Sequence, residues 1–331
     1  MSPSPDAIEA LCALDAAGRG IGRLVVPGAL AAAARSLAGA RRVVLVTGFV
    51  PRPTWGPETD GPSGTVVLGR ALRRLGAEVR YLADPPVLPL IEACLKVFRE
   101  PLDLVGVPSA SDAAVVAARA SLRMFRPSHL VAVERPGRAA DGDYYNARGE
   151  SVRGENAPLD ALFLRRPAGA VTIGVGDGGN EIGMGRVRAR VRRGVPHGAR
   201  IGSVVRTDHL VVAGTSNWGA WGLTAHLGLA TGQDLLHTGE DETRLTHAMV
   251  AAGGVDGLTG AAVPSVDSLP LGLHQAVLTT LRELAGHLRA RTAPPSGAGR
   301  GQRQAGRRAT ARHPEHANHA NRRRTTSWPR R

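Results

Sequence analysis

The sequence predicts an α/β fold: a doubly wound, mostly parallel sheet with helices on both faces, followed by a disordered Arg-rich C-terminal tail. Three observations carry this. Short runs rich in Val, Leu and Ile alternate with helical-length segments along the 331 residues, the pattern of successive βαβ units. Hydrophobic residues make up 43% of the chain but aromatic ones only 3%, so the core is aliphatic, which suits helices laid on a parallel sheet. From about Ala290 the composition turns to Arg, Gly, Pro, Ala and His, with too little large apolar side chain to offset the entropy of ordering. The expected organisation is one folded domain over 1–289 and a basic tail over 290–331.

In chain order, RRVVLVTGF (41–49) reads as the first strand and GTVVLGRALRRLGA (64–77) as the helix that follows it. EVRYLAD (78–84) is a second strand, closed by Pro85 and Pro86, and VLPLIEACLKVF is a helix. DLVGV (103–107) is a short third strand, and SDAAVVAARASLRMF (111–125) is a helix with Ser111 or Asp112 as its N-cap. SHLVAVE (128–134), AVTIGVG (170–176) and DHLVVAG (208–214) are the remaining strands. Helices are expected over 157–166, 217–230, 242–252 and 268–289.

The net charge of +14 hints at nucleic acid until it is located: residues 291–331 hold eleven Arg against the single Glu315 and so account for +10 of it. The tail has one aromatic residue, Trp328, and no folded nucleic-acid motif, so nucleic-acid binding is expected to go no further than non-specific tail contacts. Cys12 and Cys94 form no CxxC pair, and the N-terminus lacks a basic segment followed by an apolar run. No stretch reaches 18 consecutive apolar residues. These features fit a cytoplasmic protein without a membrane span, and they leave the oligomeric state open.

Ligands of open α/β sheets sit beyond the carboxyl ends of the strands, and this rule sorts the polar residues. The first strand leads to Glu58 and Asp60, the fourth to Glu134 and then Arg135, Arg138 and Arg148, the fifth to Asp177, Asn180 and Glu181, and the sixth to Ser216 and Asn217. Each has a plainer reading. Asp60 stands before Gly61 and Pro62 as at a helix entry, Ser216 or Asn217 can cap the next helix, and a lone Arg more often forms a solvated face. The stretch VTIGVGDGGNEIGMG (171–185) is harder to dismiss, because a strand running into so many glycines brings backbone close to a ligand. It is a poor dinucleotide loop, since Asp177 would repel a pyrophosphate, and no GxxxxGK[ST] loop occurs. Two carboxylates on flexible backbone suit a metal ion or acid–base chemistry better.

Taken together, ETDGPSG (58–64), AVERPGRAADGDYYNARG (132–149), GVGDGGNEIGMG (174–185) and AGTSNWGAWGL (213–223) resemble the D-glutamate cyclase family, over about residues 10–285. The resemblance implies a lyase that reversibly dehydrates D-glutamate, its small-molecule substrate, to 5-oxo-D-proline. It does not reach the tail. The chemistry of that reaction then suggests roles. Arg135, Arg138 or Arg148 would clamp the α-carboxylate, and Glu58 and Asp60 would grip the ammonium. Asp177 and Glu181 would act as base and acid, or hold a divalent metal ion, the one cofactor the pattern provides for. The N–H groups of Gly178 and Gly179 would stabilise an oxyanion, while Asn180, Ser216 and Asn217 orient the substrate. The competing expectations are a metal-assisted hydrolase or phosphoryl-transfer enzyme on the same acidic rim, and a nucleic-acid-binding protein acting through its tail.

Overall fold

The computed structural model describes residues 6–109 and 112–292. Its main sheet has six parallel strands: β1 (Arg42–Thr47), β2 (Glu78–Ala83), β3 (Leu104–Gly106), β4 (His129–Val133), β5 (Val171–Gly176) and β6 (His209–Val212). Their order is β3-β2-β1-β4-β5-β6. The chain builds outward from β1 in one direction and then restarts at β4 on its other side. This reversal opens a crevice beyond the carboxyl ends of β1 and β4, where ligands of such sheets bind.

The helices are α1 (Ala7–Cys12), α2 (Ala29–Leu37), α3 (Pro62–Arg74), α4 (Leu88–Phe98), α5 (Asp112–Phe125), α6 (Asp160–Leu164), α7 (Arg188–Gly194), α8 (Gly198–Ile201), α9 (Ser216–Thr231), α10 (Gly239–Ala251) and α11 (Leu271–Thr292). A short antiparallel pair, β7 (Ser265–Val266) and β8 (Leu269–Pro270), precedes α11. Strand side chains alternate between two cores, as the two-residue period requires. Val43, Leu45, Val131 and Val133 face one core with α1–α4 and α9–α11. Val44, Val46, Leu130 and Ala132 face the other with α5 and α6. The doubly wound reading therefore holds, with heavier cover on one face.

Differences from the expected elements lie at ends and in short pieces. Pro62 occupies the first turn of α3, so that helix begins earlier than 64. In α10 the Thr238 hydroxyl and the Asp241 carboxylate form a reciprocal capping box, which moves its start to Gly239. The last helix continues beyond Arg289 to Thr292. The short helices α1, α2, α7 and α8 and the β7–β8 pair went unassigned, being too brief or too Gly-interrupted for a clear period. The Ser111 cap and the basic tail lie outside the described residues. Among the described residues no helix is long and apolar enough to cross a membrane.

α9 is buried nearly all round, and it fixes the crevice. It runs against α3, where a side chain at Gly64 would lie 2.7 Å from the Asn217 Cα. Only glycine allows that approach, and the approach lets the two helix N-termini meet beside the strand ends.

Candidate active site

Glu58, Asp60, Glu134, Asp177, Glu181 and Asp267 all gather at the carboxyl rim, and all are buried. They arrive from different elements. Glu58 and Asp60 lie in the segment between β1 and α3, Glu134 follows β4, Asp177 and Glu181 follow β5, and Asp267 sits in the turn between β7 and β8. A small cavity of about 100 Å³ opens among them, lined by Arg19, Glu58, Glu134, Arg148, Asp177 and Asp267 together with Phe49, Asn146, Gly178 and Asn180.

Asp60 is held by α9. Its carboxylate accepts the backbone N–H of Ser216 at 2.8 Å and of Asn217 at 2.9 Å, the first turn of that helix. The Ser216 hydroxyl donates to Glu134 at 2.6 Å. Glu134 itself has φ 44°, and Asp267 has φ 53°. Carboxylates forced into left-handed backbone are uncommon and concentrate at functional sites.

The glycine loop is organised by Glu181. Its carboxylate accepts the N–H groups of Asp177 at 2.9 Å and Gly179 at 2.7 Å, and that of Gly178 as well. The amides of Gly178 and Gly179, expected to face a substrate oxyanion, are therefore already engaged. Asn180 lines the cavity, and its side-chain NH₂ donates to the Tyr145 carbonyl at 2.8 Å.

Arg19 is the cation within this cluster. Its guanidinium lies 2.7 Å from Asp177 and 3.0 Å from Asp267, and it also donates to the Gly214 carbonyl at 2.9 Å. Asp15 aims it by accepting the backbone N–H of Arg19 and of Gly20, each at 2.7 Å. Burial alone would make Arg19 easier to deprotonate, but Asp177 and Asp267 outweigh it and hold the guanidinium firmly charged.

One half-buried arginine cannot balance so many carboxyls. Burial, then Asp267, Asp60 and Asp177, pushes Glu58 well above the ordinary carboxylic range. Burial, then Asp177 and Glu181, does the same to Glu134, and burial, then Asp267 and Asp177, to Asp60. Asp177 is raised by burial against the pull of Arg19, and Asp267, likewise opposed by Arg19, is pushed up to about 7. In addition, Oε1 of Glu58 is buried without a hydrogen bond, whereas Oδ2 of Asp177 is met by Arg19. The cluster therefore holds protons that its chemistry can move, or else it holds a cation.

Oxygens of Asp60, Glu134 and Asp177 all lie within 4.8 Å of one another, so these three residues can coordinate a metal ion. The grouping differs from the expected pair, because Glu181 spends its oxygens on the loop amides. The three arginines after β4 also separate. Arg135 is fully buried and forms a two-pronged pair with Asp84, adding bonds to the Gly48 and Ala157 carbonyls. Arg138 pairs with Asp160 through both its Nε and Nη2. Arg148 alone of the three lines the cavity, held by the Leu258 carbonyl at 2.8 Å and by the Trp55 ring 5.5 Å away. Asn217 is a helix tie, its Oδ1 accepting from Gly61 and Gly64.

Arg19 and Asp267 were missed in the sequence. Arg19 precedes the first strand, and its one signal is a pair of flanking glycines, with φ 67° at Gly18 and φ 79° at Gly20. Asp267 belongs to a two-residue turn placed by Asp256, which accepts from the N–H groups of Leu258, Thr259 and Ser268 and from the Ser265 hydroxyl.

Residues 8–282 match the family described as D-glutamate cyclase-like, C-terminal. The human mitochondrial D-glutamate cyclase is 40% identical over 236 residues, which is 66% of this chain and 38% of that protein. The chain thus spans about two fifths of the curated relative it matches. Among solved structures, an exopolyphosphatase-related protein from Bacteroides fragilis aligns over 81% of this chain and 62% of its own, with 8% identity and a TM-score of 0.39, a likeness that carries no argument.

Proposed function

Because the chain belongs to the D-glutamate cyclase-like family, we propose that the acidic cavity is the active site of a D-glutamate cyclase, reversibly dehydrating D-glutamate to 5-oxo-D-proline. The observation that carries this reading is the surplus of buried carboxyls over cations around the cavity. Such a site attracts a positive charge, and the α-ammonium of an amino acid is one.

The reaction joins the α-nitrogen to the γ-carboxyl carbon and breaks one carbon–oxygen bond. Two protons leave the nitrogen and two join the departing oxygen, so the site ends as it began. Asp177, whose carboxylate form Arg19 favours against the effect of burial, takes the ammonium proton and frees the nitrogen lone pair. Glu58, held protonated by burial and lacking a partner on Oε1, donates to the departing oxygen. Arg148 at the cavity wall binds the α-carboxylate. Glu134, tied to Ser216, relays protons between the other two.

The three clustered oxygens of Asp60, Glu134 and Asp177 are hard donors and fit a divalent cation. Bound there, such an ion would supply Lewis acidity to the γ-carboxyl oxygen.

The test is the purified chain with D-glutamate, L-glutamate or 5-oxo-D-proline, product being read by chiral chromatography with and without chelator. The expected outcome is interconversion of D-glutamate and 5-oxo-D-proline. No turnover in either direction with added Mg²⁺ or Mn²⁺ sinks the reading.

A further inference from the structure

At the rim opposite the acid cluster lies a larger open cavity of about 800 Å³. Six arginines line it: Arg42, Arg119, Arg123, Arg126, Arg165 and Arg166. They come from the start of β1, from α5 and the turn after it, and from the turn after α6. Among the described residues one carboxylate forms an ion pair with any of them, Asp208 with Arg166. Arg42 donates to the Arg126 carbonyl at 3.0 Å, while the guanidinium groups of Arg119, Arg123, Arg126 and Arg165 form no ion pair with any described residue.

We propose that this cavity binds a small, multiply charged phosphate anion of the di- or triphosphate class. Like charges brought from separate segments into one concavity repel each other, and an anion turns that repulsion into attraction. Arginine presents a rigid fork that matches phosphate oxygens two at a time. The volume falls within the range of about 300–1,000 Å³ of small-molecule sites. No aromatic ring lines the wall, whose apolar part is Leu122, Leu162, Pro127, Pro167 and Ala168. Base stacking, the usual grip on single-stranded nucleic acid, is therefore missing from it. A compact anion read by charge fits better than a strand. The site is separate from the acidic cavity and does not depend on how that one is read.

The basic residues after 292 also attract anions, so the test must resolve position. Hydrogen–deuterium exchange of the full chain, at physiological salt, is measured with and without inorganic triphosphate. The expected result is saturable protection of 119–128 and 165–169, weakened at least about tenfold by the triple variant Arg119→Ala, Arg123→Ala and Arg165→Ala. Should that variant unfold, Arg123→Ala alone, on an exposed side chain, must weaken binding several-fold. Absence of protection, or variants that bind like the parent, overturns the proposal. A short single-stranded oligonucleotide that protects the same segments at lower concentration than triphosphate overturns it too, by making the face a nucleic-acid surface.

Discussion

Asp60 and Asn217 cap each other's helices. The Asp60 carboxylate, just ahead of α3, accepts from the Ser216 and Asn217 amides that open α9. The Asn217 side chain returns the arrangement, accepting from Gly61 at 3.1 Å and Gly64 at 2.8 Å at the entry of α3. Each residue thus satisfies orphan donors of the other's helix, and the two N-termini converge on the cavity. Asn217→Ala would leave two buried N–H groups without acceptors. Its expected cost is about 2–3 kcal/mol, seen as a melting temperature lower by several degrees. A variant that melts with the parent would show that this tie does not hold the helices.

Asp177 and Glu181 differ in what they touch, so their variants should part company. Asp177 lines the cavity and is paired there with Arg19, whereas Glu181 is committed to the Asp177, Gly178 and Gly179 amides. Asp177→Asn is expected to lower kcat by about two orders of magnitude or more with the fold kept. Glu181→Gln places an NH₂ donor against backbone donors and should cost stability, about 1–3 kcal/mol, alongside activity. Thermal unfolding measured beside turnover separates them. An Asp177→Asn enzyme with parental kcat would remove that residue from the chemistry.

The arginines after β4 yield a second contrast. Arg148→Ala should raise KM with little change in melting temperature, lowering kcat/KM by about 2–4 kcal/mol. Arg135→Ala strands Asp84 in a fully buried site and should destabilise the protein by about 3–5 kcal/mol. Steady-state kinetics and calorimetry on both variants check this. An Arg148→Ala protein with parental KM places the carboxylate clamp elsewhere.

Much of this was legible in the chain and some was not, for physical reasons. Strand runs such as RVVLVT carry their own period, and the rule that ligands gather at carboxyl ends brought Glu58, Asp60, Glu134, Asp177 and Asn180 to one rim. What a side chain does once there depends on its partner, and partners are tertiary. Nothing local in ERPGR shows that Arg135 will meet Asp84 from the end of β2, or that Glu181 will fold back on its own loop. Arg19 and Asp267 approach from the two flanks of the chain, in segments without a period, and only folding brings them to Asp177.

The carboxyl of Asp267 is pushed from 3.8 up to about 7, chiefly by burial. A carboxyl whose folded value lies above its unfolded one binds its proton more tightly in the native state. Its contribution to stability is complete below about pH 4 and is lost as pH rises through about 7. The metal-free protein should therefore lose stability between roughly pH 4 and 7, over and above its other titrations. Asp267→Asn removes this ionisation while keeping a similar shape and leaving Arg19 paired with Asp177. It should flatten the pH dependence and raise stability at pH 8 by at least about 1 kcal/mol, as read by urea unfolding in chelator across that range. Parallel stability curves for parent and variant would show that Asp267 does not titrate in this window, and that Arg19 keeps it ionised throughout.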